Sequence, residues 1–344
     1  MTLLVFTYLL SGCSPKDTQT MAQAAAVLDQ GDYDTALALY DAAIEEGKQL
    51  QACYRGKGIA LMGKMEYEEA AKAFETALTS ETFIEKKIYR DGMNDDIRRY
   101  LAACYTRCGN GMSAVEIYDQ LIEKDPEDPT LYMDRGAAKA GMDRIDEAKA
   151  DFDKAINLDR GNYERILEIA QILDGCGARK IGAAYLADVP GLGSDQIDPI
   201  LKARILYFLE EYQGAVDLLS GYQGTDEEAV LILCRSYIAL DNTKAASEII
   251  QEYGGITETS PTLLNLLGSI YMKQEKYSEA ADAFERGVRV ATGSDELRTL
   301  LFNRAVAYEY LGEFEKARDL FTTYLEQYSG DEEARHELEF LRTR

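Results

Sequence analysis

Between Pro261 and Tyr328 one pattern of small and large apolar positions is written twice. Gly268, Tyr271, Tyr277, Ala280 and Phe284 are matched, at the same internal spacing, by Ala305, Tyr308, Phe314, Ala317 and Phe321. The second small residue of the pattern serves as a ruler for the rest of the chain. It recurs at Ala36, Ala70, Ala114, Ala148, Gly182, Ala215, Ala246, Ala280 and Ala317, at steps of 34, 44, 34, 34, 33, 31, 34 and 37 residues. Twelve residues before each mark stand Ala24, Gly58, Ala102, Gly136, Ala170, Ala203, Cys234, Gly268 and Ala305, all small. Four residues after each stand Tyr40, Phe74, Tyr118, Phe152, Leu186, Leu219, Ile250, Phe284 and Phe321, all large and apolar.

Two antiparallel helices approach closely only where small side chains face each other, and a large apolar residue one turn on fills the adjoining gap. No single unit of this kind buries its apolar face alone, so neighbours stack and share one core. The small–aromatic–aromatic–small–aromatic signature closely resembles the tetratricopeptide repeat, a helix–turn–helix unit of 34 residues. The resemblance implies an all-α, right-handed solenoid of about nine repeats. It predicts repeats one to five over residues 21–187, repeats six to nine over 188–328, and a capping helix over 329–344.

The sequence between repeats agrees with that division. Turns inside repeats one and two fall at Gln30-Gly31-Asp32 and Gly63-Lys64-Met65-Glu66. All six prolines lie in the N-terminal tether or between repeats, and none interrupts a predicted helix. Asp125-Pro126-Glu127-Asp128-Pro129 separates repeats three and four, and Tyr253-Gly254-Gly255 closes repeat seven. The loop from Asp188 to Ser194, rich in Gly and Pro, marks a bend between two sub-solenoids. A ten-residue excess between repeats two and three, within 81–95, carries Lys86, Lys87 and Arg90 and reads either as a partner-contacting loop or as an extended helix end. Ser329-Gly330-Asp331-Glu332-Glu333 reads as a break followed by a capped helix start with acids in its first turn.

The N-terminus carries a separate signal. Leu3–Leu10 is an apolar run too short to span a bilayer as a helix. It ends in Leu10-Ser11-Gly12-Cys13, which resembles the bacterial lipobox, although Met1-Thr2 lacks the basic residues that usually open such a signal. The resemblance implies a signal peptide over 1–12, lipid attachment at Cys13 and a polar tether over 13–20. Two or three acyl chains anchor a protein stably, at about 0.8 kcal/mol per buried methylene.

Charge and chemistry narrow the function classes. The formal net charge of −24 disfavours nucleic acid, whose binding needs clustered Lys and Arg. It also opposes direct adsorption to an anionic bilayer, leaving the lipid as the membrane contact. Histidine occurs once, at His336, so no His-based triad is at hand. Cys104 and Cys108 form an isolated pair four apart, without the further Cys and His of a zinc site, while Cys234 occupies a packing position and reads as a buried thiol. There is no phosphate-binding glycine loop, and the carboxylates lack calcium-loop spacing. The chain therefore reads as non-catalytic, with no cofactor and no metal.

In proteins of the resembled family the first helix of each repeat lines a concave groove. Carried onto this sequence, the basic groove residues are Arg55, Arg99, Arg107, Arg204, Arg235 and Lys273. The acidic ones are Asp29, Asp96, Glu164, Asp174, Glu228 and Glu309, so the groove is near neutral. Met62, Met133, Tyr207, Phe208 and Phe302 supply its apolar contacts. Such a groove suits a peptide or helical segment, with an acidic segment expected opposite Arg55, Arg99 and Arg107 unless those arginines neutralise neighbouring acids. The paired Lys and Asn with which some relatives grip chaperone C-termini are missing, Asn265 being a lone match. The expected role is a protein-binding scaffold or assembly factor, held outside the cytoplasm on a bacterial envelope membrane. The alternative is a receptor for an extracellular glycan or peptide.

Overall fold

A computed structural model of the chain describes residues 15–47, 49–80, 92–191, 193, 196–221, 226–254, 260–291 and 294–344. Among the described residues there are 19 α-helices, one short 3-10 turn at Val189–Gly191, and no strand. Eighteen helices fall into nine successive pairs. Repeat one is α1 (Pro15–Asp29) and α2 (Tyr33–Glu45), repeat two α3 (Leu50–Gly63) and α4 (Tyr67–Thr79), and repeat three α5 (Gly92–Arg107) and α6 (Gly111–Lys124). Repeat four is α7 (Pro129–Gly141) and α8 (Ile145–Leu158), and repeat five α9 (Tyr163–Gly175) and α10 (Arg179–Leu186). Repeats six to nine are α11 (Pro199–Phe208) with α12 (Tyr212–Leu219), α13 (Glu227–Ala239) with α14 (Thr243–Gly254), α15 (Pro261–Lys273) with α16 (Tyr277–Val290), and α17 (Ser294–Tyr310) with α18 (Phe314–Gln327). A single helix, α19 (Glu332–Leu341), follows. The chain forms two compact units, Met1–Tyr185 and Leu186–Arg344.

Every ruler position, every small residue twelve before it, and every large residue four after it is buried. The glycines show what the close approach demands. A Cβ added at Gly58, Gly136 or Gly268 would sit 2.5–2.6 Å from ring carbons of Phe74, Phe152 or Phe284 within the same repeat. Across the nine repeats glycine takes this site only where the opposing residue is Phe. Tyr, Leu and Ile opposite are met by Ala or Cys, and Ala305 against Phe321 is the one departure. Glycine thus marks hairpins whose helices stand so close that the ring leaves no room for a methyl group.

The turn between the two helices is equally uniform. Five residues before each ruler mark the backbone enters the left-handed region, at Gly31, Met65, Gly109, Asp143, Gly177, Glu210, Asp241, Glu275 and Gly312, with φ between +59° and +82°. The next N–H donates back to the carbonyl five residues earlier in all nine turns, from Asp32 to Val27 through Glu313 to Tyr308, at 2.7–3.2 Å. This is the Schellman closure, which satisfies the last carbonyls of the first helix and reverses the chain. Between repeats, three first helices open on proline behind a side-chain cap: Asp128 accepts from Thr130 N, Asp198 from Ile200 N and Leu201 N, and Ser260 Oγ from Leu263 N. Proline suits that position because its missing N–H would have no helical partner there.

First helices of adjoining repeats pack directly on one another. In the first unit α1 meets α3, α3 meets α5, α5 meets α7 and α7 meets α9; in the second α11 meets α13 and α15 meets α17. Side chains of the first helices therefore share one face along the first unit, and in the second do so pairwise, α11 with α13 and α15 with α17. The terminal helix α19 covers the last repeat with Ala334, Leu338 and Leu341 and leaves Glu332, Glu333, His336 and Glu339 exposed. Asp331 caps it by accepting from Ala334 N at 3.1 Å. Arg298 beside it, helped by Tyr324, holds the Asp331 carboxyl at about 2.

Repeat four breaks the apolar pattern at one place. Three residues after the ruler mark the other repeats carry Leu39, Ala73, Ile117, Tyr185, Leu218, Ile249, Ala283 and Leu320, but repeat four has Asp151. Its buried carboxylate takes hydrogen bonds from Arg135 Nε (3.0 Å) and Nη2 (2.6 Å) and from Lys139 Nζ (2.7 Å), and Arg135 Nη1 reaches Asp119 (2.6 Å). A buried carboxylate is tolerated only when its oxygens are met in this way.

Two substitutions of opposite sign check this account. Gly268→Ala pushes a methyl into Phe284 and should lower stability by about 1–3 kcal/mol in urea unfolding. Glu275→Gly removes a side chain from a left-handed turn position and should raise it by about 0.5–1 kcal/mol.

Candidate partner-binding groove

In the first unit the shared face of the first helices is laced by ion pairs between repeats. Arg55 Nε on α3 donates to Asp96 on α5 at 2.5 Å, with its guanidinium over the Tyr100 ring at 5.5 Å. Arg99 on α5 pairs with Asp128 at 2.7 Å. Burial pushes the Asp128 carboxyl up, but Arg99 and the Thr130 backbone N–H outweigh it and hold it below its ordinary value. Arg165 on α9 pairs with Asp159 and reaches Thr130 Oγ1 at 3.5 Å, while within repeat five Arg179 pairs with Asp174 at 2.7 Å. Met62 and Met133 are half-buried against the cores of repeats two and four. Arg107, at the end of α5, differs: it is exposed, lies over the Tyr67 ring at 5.4 Å, and pairs with no acid among the described residues.

One carboxyl on this face stands apart. Asp134 on α7 lies two residues before Gly136 and makes no hydrogen bond or ion pair among the described residues. Burial pushes it up to about 7; Arg99 and Arg165 pull against that shift, while Asp128 and Glu168 add to it.

In the second unit Arg204 on α11 pairs with Glu228 on α13 at 3.2 Å. Arg235 on α13 and Lys273 on α15 are exposed and form no ion pair among the described residues. Asn265 accepts from Asn303 Nδ2 at 2.9 Å across α15 and α17, so its amide oxygen is already engaged. Phe302 is half-buried and set edge-on to Phe321 and Tyr324, at 5.5 and 5.8 Å between ring centres. Tyr207 is half-buried and tilted against Tyr212 at 5.4 Å.

The expectation that Phe208 lines an accessible face is corrected. It is buried, because α11 turns Ala203, Ile205, Leu206 and Phe208 all inward and is apolar around most of its girth. Cys13, Lys86, Lys87 and Arg90 lie outside the described residues.

Models of the tetratricopeptide repeat match residues 21–83, 55–129, 129–162 and 258–329, together more than half of the chain. The chain belongs to the tetratricopeptide repeat family. A model of anaphase-promoting complex (cyclosome) subunit 3 matches residues 217–287. Among curated proteins the chain is similar to Hsp70-Hsp90 organizing protein 2 of Arabidopsis thaliana, 28% identical over 165 residues, covering 40% of this chain and 29% of the relative. The chain thus spans less than a third of that relative's length. Among solved structures it is similar to MamA from Desulfovibrio magneticus, at 17% identity over 53% of this chain and 98% of that one, TM-score 0.44. A tetratricopeptide repeat protein from Parabacteroides merdae, at 19% identity, covers 85% of this chain and 99% of that one, TM-score 0.41.

As a tetratricopeptide repeat protein, the chain offers a face built of two kinds of group. Arginines already neutralised by the next repeat fix the register of neighbouring helices, each exposed pair contributing about 0.2–1 kcal/mol. The groups outside these ion pairs are Arg107, Met62, Met133 and Asp134 in the first unit and Arg235 and Lys273 in the second. One aspartate among 61 acids, Asp134 carries no mark in the sequence that it lacks a partner.

Asp134 links stability to pH. Its folded-state value, about 7, lies above the ordinary 3.8, so between those values the folded chain holds a proton that the unfolded chain releases. Stability from this group therefore falls as pH rises from about 4 to about 7. Asp134→Asn should melt higher than the parent at pH 8 and close to it at pH 4; an equal or lower melting temperature at pH 8 would contradict the raised value.

Proposed function

We propose that this chain is a non-catalytic scaffold or assembly factor that holds a peptide or helical segment of another protein against the first-helix face, while anchored at a bacterial cell envelope. Protein binding is the common role of tetratricopeptide repeats, and the name of the Arabidopsis relative describes a protein that organises two others. The observation that carries the reading is the division of the face into paired and unpaired charge. Arg55, Arg99 and Arg204 already hold acids, whereas Arg107, Arg235 and Lys273 do not. An acidic stretch of the partner would engage Arg107 in the first unit without displacing an internal carboxylate. Met62 and Met133 would supply adaptable apolar contact.

A glycan receptor would need exposed rings in parallel. Tyr207 and Phe302 instead pack edge-on or tilted against neighbouring aromatics, which favours the protein partner. Envelope attachment rests on the lipobox-like Leu10-Ser11-Gly12-Cys13. Among the described residues no helix is long and apolar enough to cross a membrane, so in this reading acyl chains on Cys13 provide the hold.

Crosslinking in the native cell, followed by purification of the full-length chain, tests both parts. A stoichiometric protein should co-purify and be lost from Arg107→Glu, and Cys13→Ser should leave the membrane fraction. Well-crosslinked membranes that yield no protein partner would sink the scaffold reading, and an unchanged membrane fraction for Cys13→Ser would sink the anchor.

A further inference from the structure

Among the described residues the large apolar side chains that stand well exposed are Met65, Met112, Leu240, Tyr310, Leu311 and Phe340. Met65, Met112 and Leu240 sit singly, in or beside the turns of three different repeats, and single exposed apolar residues are ordinary on a surface. The other three gather at the end of the second unit. Tyr310 (60% exposed) ends α17, Leu311 (36%) follows it, and Phe340 (40%) lies in the last turn of α19. Rings join them into one strip. Tyr277, which opens α16, is tilted against Tyr310 at 5.3 Å between ring centres. Phe314, which opens α18, and Phe340 share Arg344, whose guanidinium lies 5.7 and 4.9 Å from their ring centres. The strip thus runs from repeat eight, over the turn of repeat nine, to α19.

Elsewhere in this unit charges are spent inside the chain, as Arg298 is on Asp331 and Arg304 on Glu285. Along the strip they are not. Glu275 and Lys276 flank it at repeat eight, and Glu339, Arg342 and Arg344 flank it at α19. All five are exposed and form no ion pair among the described residues. Two of the cations rest on rings instead, Lys276 on Tyr271 and Arg344 on Phe314 and Phe340.

We propose that this strip is a self-complementary contact through which two copies of the chain pair about a two-fold axis. Such an axis through the strip sets the repeat-eight flank of one copy against the α19 flank of the other. Glu275 of one copy then faces Arg342 and Arg344 of the other, and Lys276 faces Glu339, with the same contacts repeated across the axis. Between the flanks Tyr310, Leu311 and Phe340 leave water together. A chain with a net charge of −24 repels its own copies over most of its surface, so pairing is favoured where acids and cations balance around exposed rings. An isologous contact closes on itself, and association stops at two copies. This pairing stands apart from the proposed function, which needs no second copy.

Sedimentation equilibrium of the full chain tests it, with Cys13→Ser as the common background so that acyl chains play no part. A contact of this size is weak, and the mass should move from one chain to two between about 1 and 200 μM. Tyr310→Ser and Phe340→Ser should each weaken pairing about tenfold or more. Both sites are exposed, so melting temperatures should stay with the parent, which separates a lost contact from a lost fold. Glu275→Arg should weaken pairing about tenfold, and Arg342→Glu with Arg344→Glu added to it should restore it. A merely disturbed surface would give no such rescue. One-chain masses throughout, pairing untouched by both serine variants, or assembly beyond two copies would each overturn the inference.

Discussion

The contact between a small residue on the first helix of a repeat and a large apolar residue on the second decides how near the two helices stand. Gly58 against Phe74, Gly136 against Phe152 and Gly268 against Phe284 leave no room for a methyl group. The partners lie sixteen residues apart, across one Schellman turn. A hairpin that closes at this spacing places its remaining apolar side chains on the surface where the next hairpin packs. The stacking of first helix on first helix follows from it, and so does the face on which a partner would lie.

On that face the electrostatics divide into internal and external parts. Pairs such as Arg55 with Asp96 and Arg204 with Glu228 join one repeat to the next within a unit, so they report on register more than on ligands. In repeat four the same logic is carried into the core by Asp151, which draws Arg135 and Lys139 inward and away from the surface. The two cations so withdrawn belong to the helix that also carries Asp134. Asp134 thus lies on a helix whose own positive charge is committed to Asp151.

The repeat frame could be read from the sequence because it depends on side-chain volume at fixed spacing, which letters record directly. The ruler through Ala36 to Ala317 marks buried positions in all nine hairpins, and Pro129, Pro199 and Pro261 stand at the heads of first helices. The turns were only partly readable. Gly31, Gly109, Gly177 and Gly312 announce a left-handed residue, but Met65, Asp143, Glu210, Asp241 and Glu275 adopt the same conformation without announcing it, because hydrogen bonds on either side impose it. The groove was the least readable part. Position along a helix says which way a side chain sets out, not whether a neighbouring repeat has taken its charge, as with Arg99, or covered it, as with Phe208. Asp134 illustrates the limit, since its distinction is the absence of a partner and no local pattern encodes that.

The close fit is made inside the repeat, as Gly58 against Phe74 shows, and again between repeats, where Gly56 packs on Tyr40 and Gly287 on Leu300 of the neighbouring hairpin. A hairpin so matched is a building block that fits both itself and its neighbours. Duplication or loss of a block adds or removes one first-helix face and changes the length of the surface, while every remaining helix pair keeps its own fit. Residues on that surface are then free to diversify under selection for different partners, since the spacing of the frame beneath them is set elsewhere.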